Sequence, residues 1–467
     1  RQQQQRNFNQ HRANSNNNNH KPGPQTTPPQ HPHQPTGTPN TTHNMSTTTS
    51  HTTHTAHHHT TATFQIEQLC LNISKSNGLD LCHHAQALGR LVRWNKTNRA
   101  LVAKVGGLQS LTAAISSSSR NGHLAAVTTC CDTLALLALD NGNKHILMDP
   151  AVQGGGCDIL GIVRLCMYQL NQHDAGKHSS LSSQYIAPPT NAGVASSALV
   201  ALAKLVWNVS TVDNAHELVG ATRCGHGGSG GCGGIPSLLT LLISECMWCT
   251  DQIEACPTST TLGEVGVATS QQRDPARAVA WRHIFEARFQ LLGALWSLSI
   301  GSEAWTDEQA MVWVPLLPTL LFVLEKCVAG GGGGNKNPAQ HGTPSSEVAR
   351  HHPLCLVLMG LIVHVLDSSV CCRCIVGLLQ QQEEEDDGEE GHRNKKGKGT
   401  TGNNVFLKVQ LCFREEQGGG GGGNSNQVRH LVWMALKKMS LQRKQATQEV
   451  KEVKGVVEGV VKGVVEV

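Results

Sequence analysis

The segment WNKTNRALVAKVGGLQSL, residues 94–111, opens polar, runs through Leu101-Val102, meets Gly106-Gly107 and resumes on Leu108 and Leu111. Apolar residues spaced by three and four predict helix on both sides of the glycines, and the glycines predict a joint. A short helix, a glycine joint and a leucine-rich helix is the order against which the rest of the chain can be compared.

The same order returns. Helical apolar spacing appears in ALGRLVRW (87–94), DTLALLAL (132–139), ALAKLVWNV (201–209), LLGALWSLS (291–299) and LVWMALKKMS (431–440), with no convincing alternating strand between them. The first four are followed by breaks at Asn98, Asp140-Asn141, Asp213-Asn214 and Gly301-Ser302. Joints recur at Gly106-Gly107, Gly154 to Gly156, Gly233-Gly234 with Pro236, and Pro315. A unit of three helices in roughly 40 residues cannot bury its own apolar face and must stack on a neighbour.

On these residues the chain resembles the armadillo repeat family. The segment 94–111 matches the first and second helices of that repeat through Asn98-Arg99, Leu101-Val102 and Gly106-Gly107-Leu108; LALDNGNKHIL (137–147) and GGIPSLLTLL (233–242) also match, and LLGALWSLS matches the third helix. The resemblance covers most of residues 64–445 and is stronger up to about residue 325. It implies an all-α, right-handed superhelical solenoid of about five or six irregular three-helix repeats. Insertions at 171–193, 249–275, 330–346, 380–404 and 417–427 are expected as loops, which stacked repeats tolerate along one edge. The glycine-rich CGHGGSGGCGG (224–234) lacks a following Gly-Lys-Ser/Thr and reads as a spacer, not a phosphate cradle.

In that family the third helices line a concave face, and an asparagine near the end of each bonds the backbone of an extended partner. Carried along this chain, the register falls on Arg90, Leu136, Asn208, Ser297, His364 and Lys438, of which one is asparagine. The alternative for Asn208 is that it caps or ends its helix. The import adaptors of the family place tryptophan four residues earlier, where Lys204, Gly293 and Met434 stand here, so their ladder for lysine-rich signals is absent. Trp207 and Trp296, one residue before the register, read as packing between repeats. The expected groove set is Arg90, Lys204, Asn208, Ser297, His364 and Lys438. Third-helix cations Arg90, Arg93, Lys204, Arg282, Arg288, Arg429, Lys437 and Lys438 outnumber Asp132, Glu286 and Glu347, which favours an acidic extended peptide.

Other chemistry finds less support. Cys246 and Cys249 with Cys224, His226, Cys232 and Cys256, or Cys371, Cys372 and Cys374 with His364, offer zinc ligands without the paired spacing of a finger. No metal, cofactor or catalytic residues are therefore expected. A net charge of +4 without basic and aromatic residues interleaved argues against nucleic acid. The run LCLVLMGLIVHVL (354–366) is shorter than the about 20 residues a membrane span needs. The odd total of 17 cysteines fits reduced, core-filling thiols. The expectation is a monomeric protein-binding scaffold, cytoplasmic or nuclear. The other reading is the regulatory arm of an enzyme, such as a ubiquitin ligase, whose catalytic module precedes Arg1.

Composition sets the ends. Residues 1–63 are almost wholly Gln, Asn, His, Thr and Pro and are expected to be disordered. The run QQQEEEDDGEEGHRNKKGKG (380–399) reads as a solvated loop, or as a segment folded across a basic groove; 446–467 is a low-complexity Val, Lys, Glu and Gly tail.

Overall fold

The computed structural model describes residues 51–148, 158–178, 192–210, 236–254, 275–300, 302, 305–329, 346–389, 405–406, 409, 426–442, 444–445 and 448. The chain divides into units Arg1–Thr55 and Ala56–Val467, and of the first only the opening turn of a helix is described. The described residues are helical, with no strand among them. They contain no single helix long and apolar enough to cross a membrane.

Helices run in the order α1 His51–Lys75, α2 Gly78–Val92, α3 Lys96–Lys104, α4 Gly107–Arg120, α5 Leu124–Leu137, α6 Asn141–Met148, α7 Ile159–His178 and α8 Ala192–Val209. There follow α9 Leu238–Glu254, α10 Pro275–Leu298, α11 Asp307–Met311, α12 Leu316–Ala329, α13 Ser346–Val365 and α14 Ser369–Glu389. A last helix, α15, spans 426–442.

Local chemistry explains the joints. Asn95 caps α3 by accepting from the Asn98 N–H, so the break precedes Asn98, which lies inside the helix. The two glycines between α3 and α4 do different work. Gly106 takes a left-handed φ of 76°, which a side chain disfavours. Gly107 is needed for closeness, since a Cβ there would stand 2.5 Å from Val102 Cγ1 and 2.6 Å from Cys70 Sγ. Asp140 accepts from Gly142 at the start of α6, and a Thr306–Gln309 capping box opens α11.

Packing is serial. The helices α2, α5, α8, α10 and α13 each pack on the next in that order, and α4, α7, α9, α12 and α14 do the same alongside. Cross-links between the two series run α4 to α5, α7 to α8, α9 to α10 and α12 to α13. The core lies between them, with Leu88, Leu111, Leu134, Leu202, Leu242, Leu295, Leu320 and Ile362 fully or nearly buried.

Several expected boundaries move. Helix α1 starts at His51, so helix extends into the stretch expected to be disordered up to 63. Its packed half is held by Ile66, Cys70 and Ile73, and a helix once nucleated adds further turns at low cost. Helix α7 covers 171–178 of one expected insertion, α9 covers 249–254 of another, α14 covers 380–389 and α15 takes in 426–427. Residues 1–50, the Asp213-Asn214 break, the 224–234 spacer, and nearly all of the 446–467 tail lie outside the described residues.

Candidate functional site

The register residues stand at the ends of the serial helices: Arg90 on α2, Leu136 on α5, Asn208 on α8, Ser297 on α10, His364 on α13 and Lys438 on α15. A helix C-terminus leaves carbonyls without partners in its own last turn. After α5 the Leu139 N–H turns to the Leu136 carbonyl, which leaves the Ala135 carbonyl without that donor. Asn208 Nδ2 donates to it at 2.8 Å. After α13 the Asp367 N–H likewise turns to the His364 carbonyl, and Lys438 Nζ donates to the Val363 carbonyl at 2.7 Å.

These two contacts are equivalent. In each, a register side chain caps the preceding helix of the series at the carbonyl one residue before that helix's own register position. Lys438 adds charge to the cap by pairing with Asp367, and a cation at a helix C-terminus also meets the negative end of the dipole. Ser297, itself buried, donates to the Ser210 carbonyl just beyond α8 at 3.3 Å. The Lys204 ammonium pairs with Asp132 of α5 at 2.8 Å.

Four residues of the expected groove set have partners within the fold. Asn208, Lys204, Ser297 and Lys438 tie neighbouring helices together, so the side chain to main chain chemistry expected for Asn208 is present with an internal acceptor. His364 is half-buried, and its carbonyl accepts from Ser302 Oγ. Arg90 is exposed.

Forward contacts complete the link. A Cβ at Gly293 would come within 2.3 Å of Trp207 Cε3, and one at Gly360 within 2.5 Å of Trp296 Cε2. Each tryptophan therefore lies against the backbone of the next helix in the series. Trp207 also meets Phe289 edge-on, with ring centroids 5.7 Å apart.

A second set of asparagines escaped sequence reading. Asn98 Nδ2 donates to the Leu91 carbonyl at 2.9 Å, and Asn143 Nδ2 donates to the Leu137 and Arg99 carbonyls at 3.1 and 3.0 Å. Each is the third residue of its short helix, α3 or α6, and that shared position was the available signal.

The charge pattern also changes. Arg288 is buried and leaves the set of surface cations. Arg90, Arg93, Arg282 and Lys437 are exposed, with Glu286 between them in sequence. Arg93 stands 6.0 Å over the Trp94 ring and Lys437 5.0 Å over Trp433, which also stacks with His430.

Among the described residues no group of three His, Cys, Asp or Glu side chains is placed to hold a metal ion. Cys246 and Cys249 are core thiols whose ionisation burial pushes up, Cys246 to about 12. Cys371 and Cys372 are pushed up to about 11 in the same way. Cys224, His226, Cys232 and Cys256 lie outside the described residues.

No family model and no curated protein matches the chain. Among solved structures, an engineered protein aligns over 80% of this chain and 99% of its own at 10% identity and a TM-score of 0.17, too low to bear on fold or function.

Proposed function

We propose that the chain is an armadillo-like solenoid serving as a non-catalytic protein-interaction scaffold, and that its third-helix face takes an extended acidic segment. The observation that supports this best is the serial packing of α2, α5, α8, α10 and α13, each capped by or locked to the next. A series built this way repeats one surface at regular intervals, the form of site that suits an extended partner. Exposed Arg90, Arg93, Arg282 and Lys437 give the surface its sign, while the Lys204–Asp132 and Lys438–Asp367 pairs neutralise themselves.

The internal use of Asn208 moves recognition away from an asparagine ladder and toward exposed cations. The full chain should be screened against acidic, neutral and basic extended peptide pools at two salt concentrations. Retention of the acidic pool, weakening with salt, supports the reading. Equal retention of all three pools contradicts it.

A further inference from the structure

Helices within the stack have packed neighbours on several sides, as α10 has in α8, α9 and α13. The first and last described helices are each buried along one side. Helix α1 buries Ile66, Cys70 and Ile73, and a Cβ at Gly107 would stand 2.6 Å from Cys70 Sγ, so this side lies against the start of α4. Helix α15 buries Val428, Val432, Ala435 and Met439 and is tied to α13 by Lys438.

The opposite sides are not polar. Helical spacing puts Phe64 and Leu71 on the face of α1 away from its buried stripe, and they are 67% and 45% exposed. Leu79, at the start of α2, is 70% exposed and likewise faces away from that helix's buried side. On α15 the same spacing puts Trp433 and Leu441 opposite the buried stripe, 53% and 59% exposed. Stacked helical arrays need polar outer faces on their terminal units to remain soluble as single copies. Large apolar groups in those positions mark a surface that is covered by something.

Charge and spacing indicate what covers it. Phe64 and Leu71 are about two turns apart with exposed Glu67 between them, and exposed Lys75 follows a turn later. Trp433 and Leu441 are also about two turns apart, with exposed Lys437 between them and 5.0 Å over the Trp433 ring. Helix α15 carries Arg429, Lys437 and Lys438 and no acidic residue over 426–442. Each stripe is thus apolar, charged, apolar, with opposite signs at the centre.

We propose that the α1 end of one copy of the chain docks on the α15 end of another, head to tail, with Phe64 and Leu71 against Trp433 and Leu441 and with Glu67 facing Lys437. The contact extends between copies the serial packing already present within one. It is heterologous, so each pair of copies keeps one free end of each kind, and assembly continues unless the geometry closes a ring. It uses the ends of the stack and does not depend on what the third-helix face binds.

The test is sedimentation velocity on the full chain up to about 100 μM, which covers micromolar contacts. Self-association should grow with concentration. Leu71→Asp blocks one end and Leu441→Asp the other, so each variant alone should self-associate at least about tenfold more weakly, because an unpaired carboxylate enters the contact. A one-to-one mixture of the two variants should associate again and stop at pairs, because the α15 end of the first meets the α1 end of the second and the remaining ends are blocked. Both positions are exposed; if either variant loses its helical signal, Phe64→Asp or Trp433→Asp takes its place. An unaltered chain that stays monomeric throughout, as it would if its own terminal residues covered these faces, overturns the proposal. So does a mixture that associates no better than its components, or a single variant that still pairs with itself as strongly as the unaltered chain.

Discussion

Trp207 lies so close over Gly293 that a Cβ on the glycine would stand 2.3 Å from the indole, and Trp296 repeats the contact on Gly360 one helix further along. Each glycine lets a tryptophan of the preceding helix reach the backbone. Gly293→Ala and Gly360→Ala should each destabilise by about 1–3 kcal/mol, the range for overpacking a close contact. Gly377→Ala is the control: a Cβ there meets nothing within 4 Å, and alanine in a helix should be neutral or stabilising by about 0.5–1 kcal/mol. Urea unfolding of the three variants checks both signs.

Asn208→Ala removes the donor to the Ala135 carbonyl and should cost about 1–3 kcal/mol, as expected when a part-buried acceptor loses its partner. Lys438→Met tests the equivalent cap on α13. Hydrogen exchange should show faster opening at the end of α5 in the first variant and at the end of α13 in the second. If the same helix ends open in both, the caps are not local.

The Asn208 register was legible because apolar spacing places it at a helix end beside Trp207. Its acceptor was not, because a side-chain amide serves a bound peptide or a neighbouring helix equally well. The distance between α5 and α8 decides between them, and no local pattern encodes that distance. Arg288 was misplaced for a related reason: α10 packs on α8, α9 and α13, and position 288 is buried while Arg282 on the same helix stays exposed. The start of α1 was hidden because Thr and His are poor helix formers, and packing further along at Ile66 and Ile73 overrides them.

Leu295 is fully buried on α10, a helix that packs on α8, α9 and α13. Leu295→Ala should lose about 2–5 kcal/mol. A loss below about 1 kcal/mol in chemical denaturation would place it outside the core.

Buried thiols make stability depend on alkaline pH. Burial pushes Cys130 up to about 12 and Cys70 up to about 11 in the folded chain, while the unfolded thiols ionise in the ordinary range. Between those values the folded state holds more protons than the unfolded state, so stability falls as pH rises from about 9 toward 12. The urea midpoint should hold up to about pH 9 and drop above it, and Cys130→Ala should flatten the drop. An unchanged slope in that variant would remove Cys130 from the cause.

The binding face is tested most directly by reversing one exposed charge on each helix series and measuring affinity for an acidic extended peptide. Arg282→Glu alters α10, in the series proposed to bind, whereas Arg373→Glu makes the same exposed charge change on α14 in the other series. The account predicts that Arg282→Glu weakens binding by about 1 kcal/mol, roughly fivefold, with the gap narrowing at high salt, and that Arg373→Glu leaves it within about twofold. Equal losses from the two variants, or none from Arg282→Glu, would contradict it.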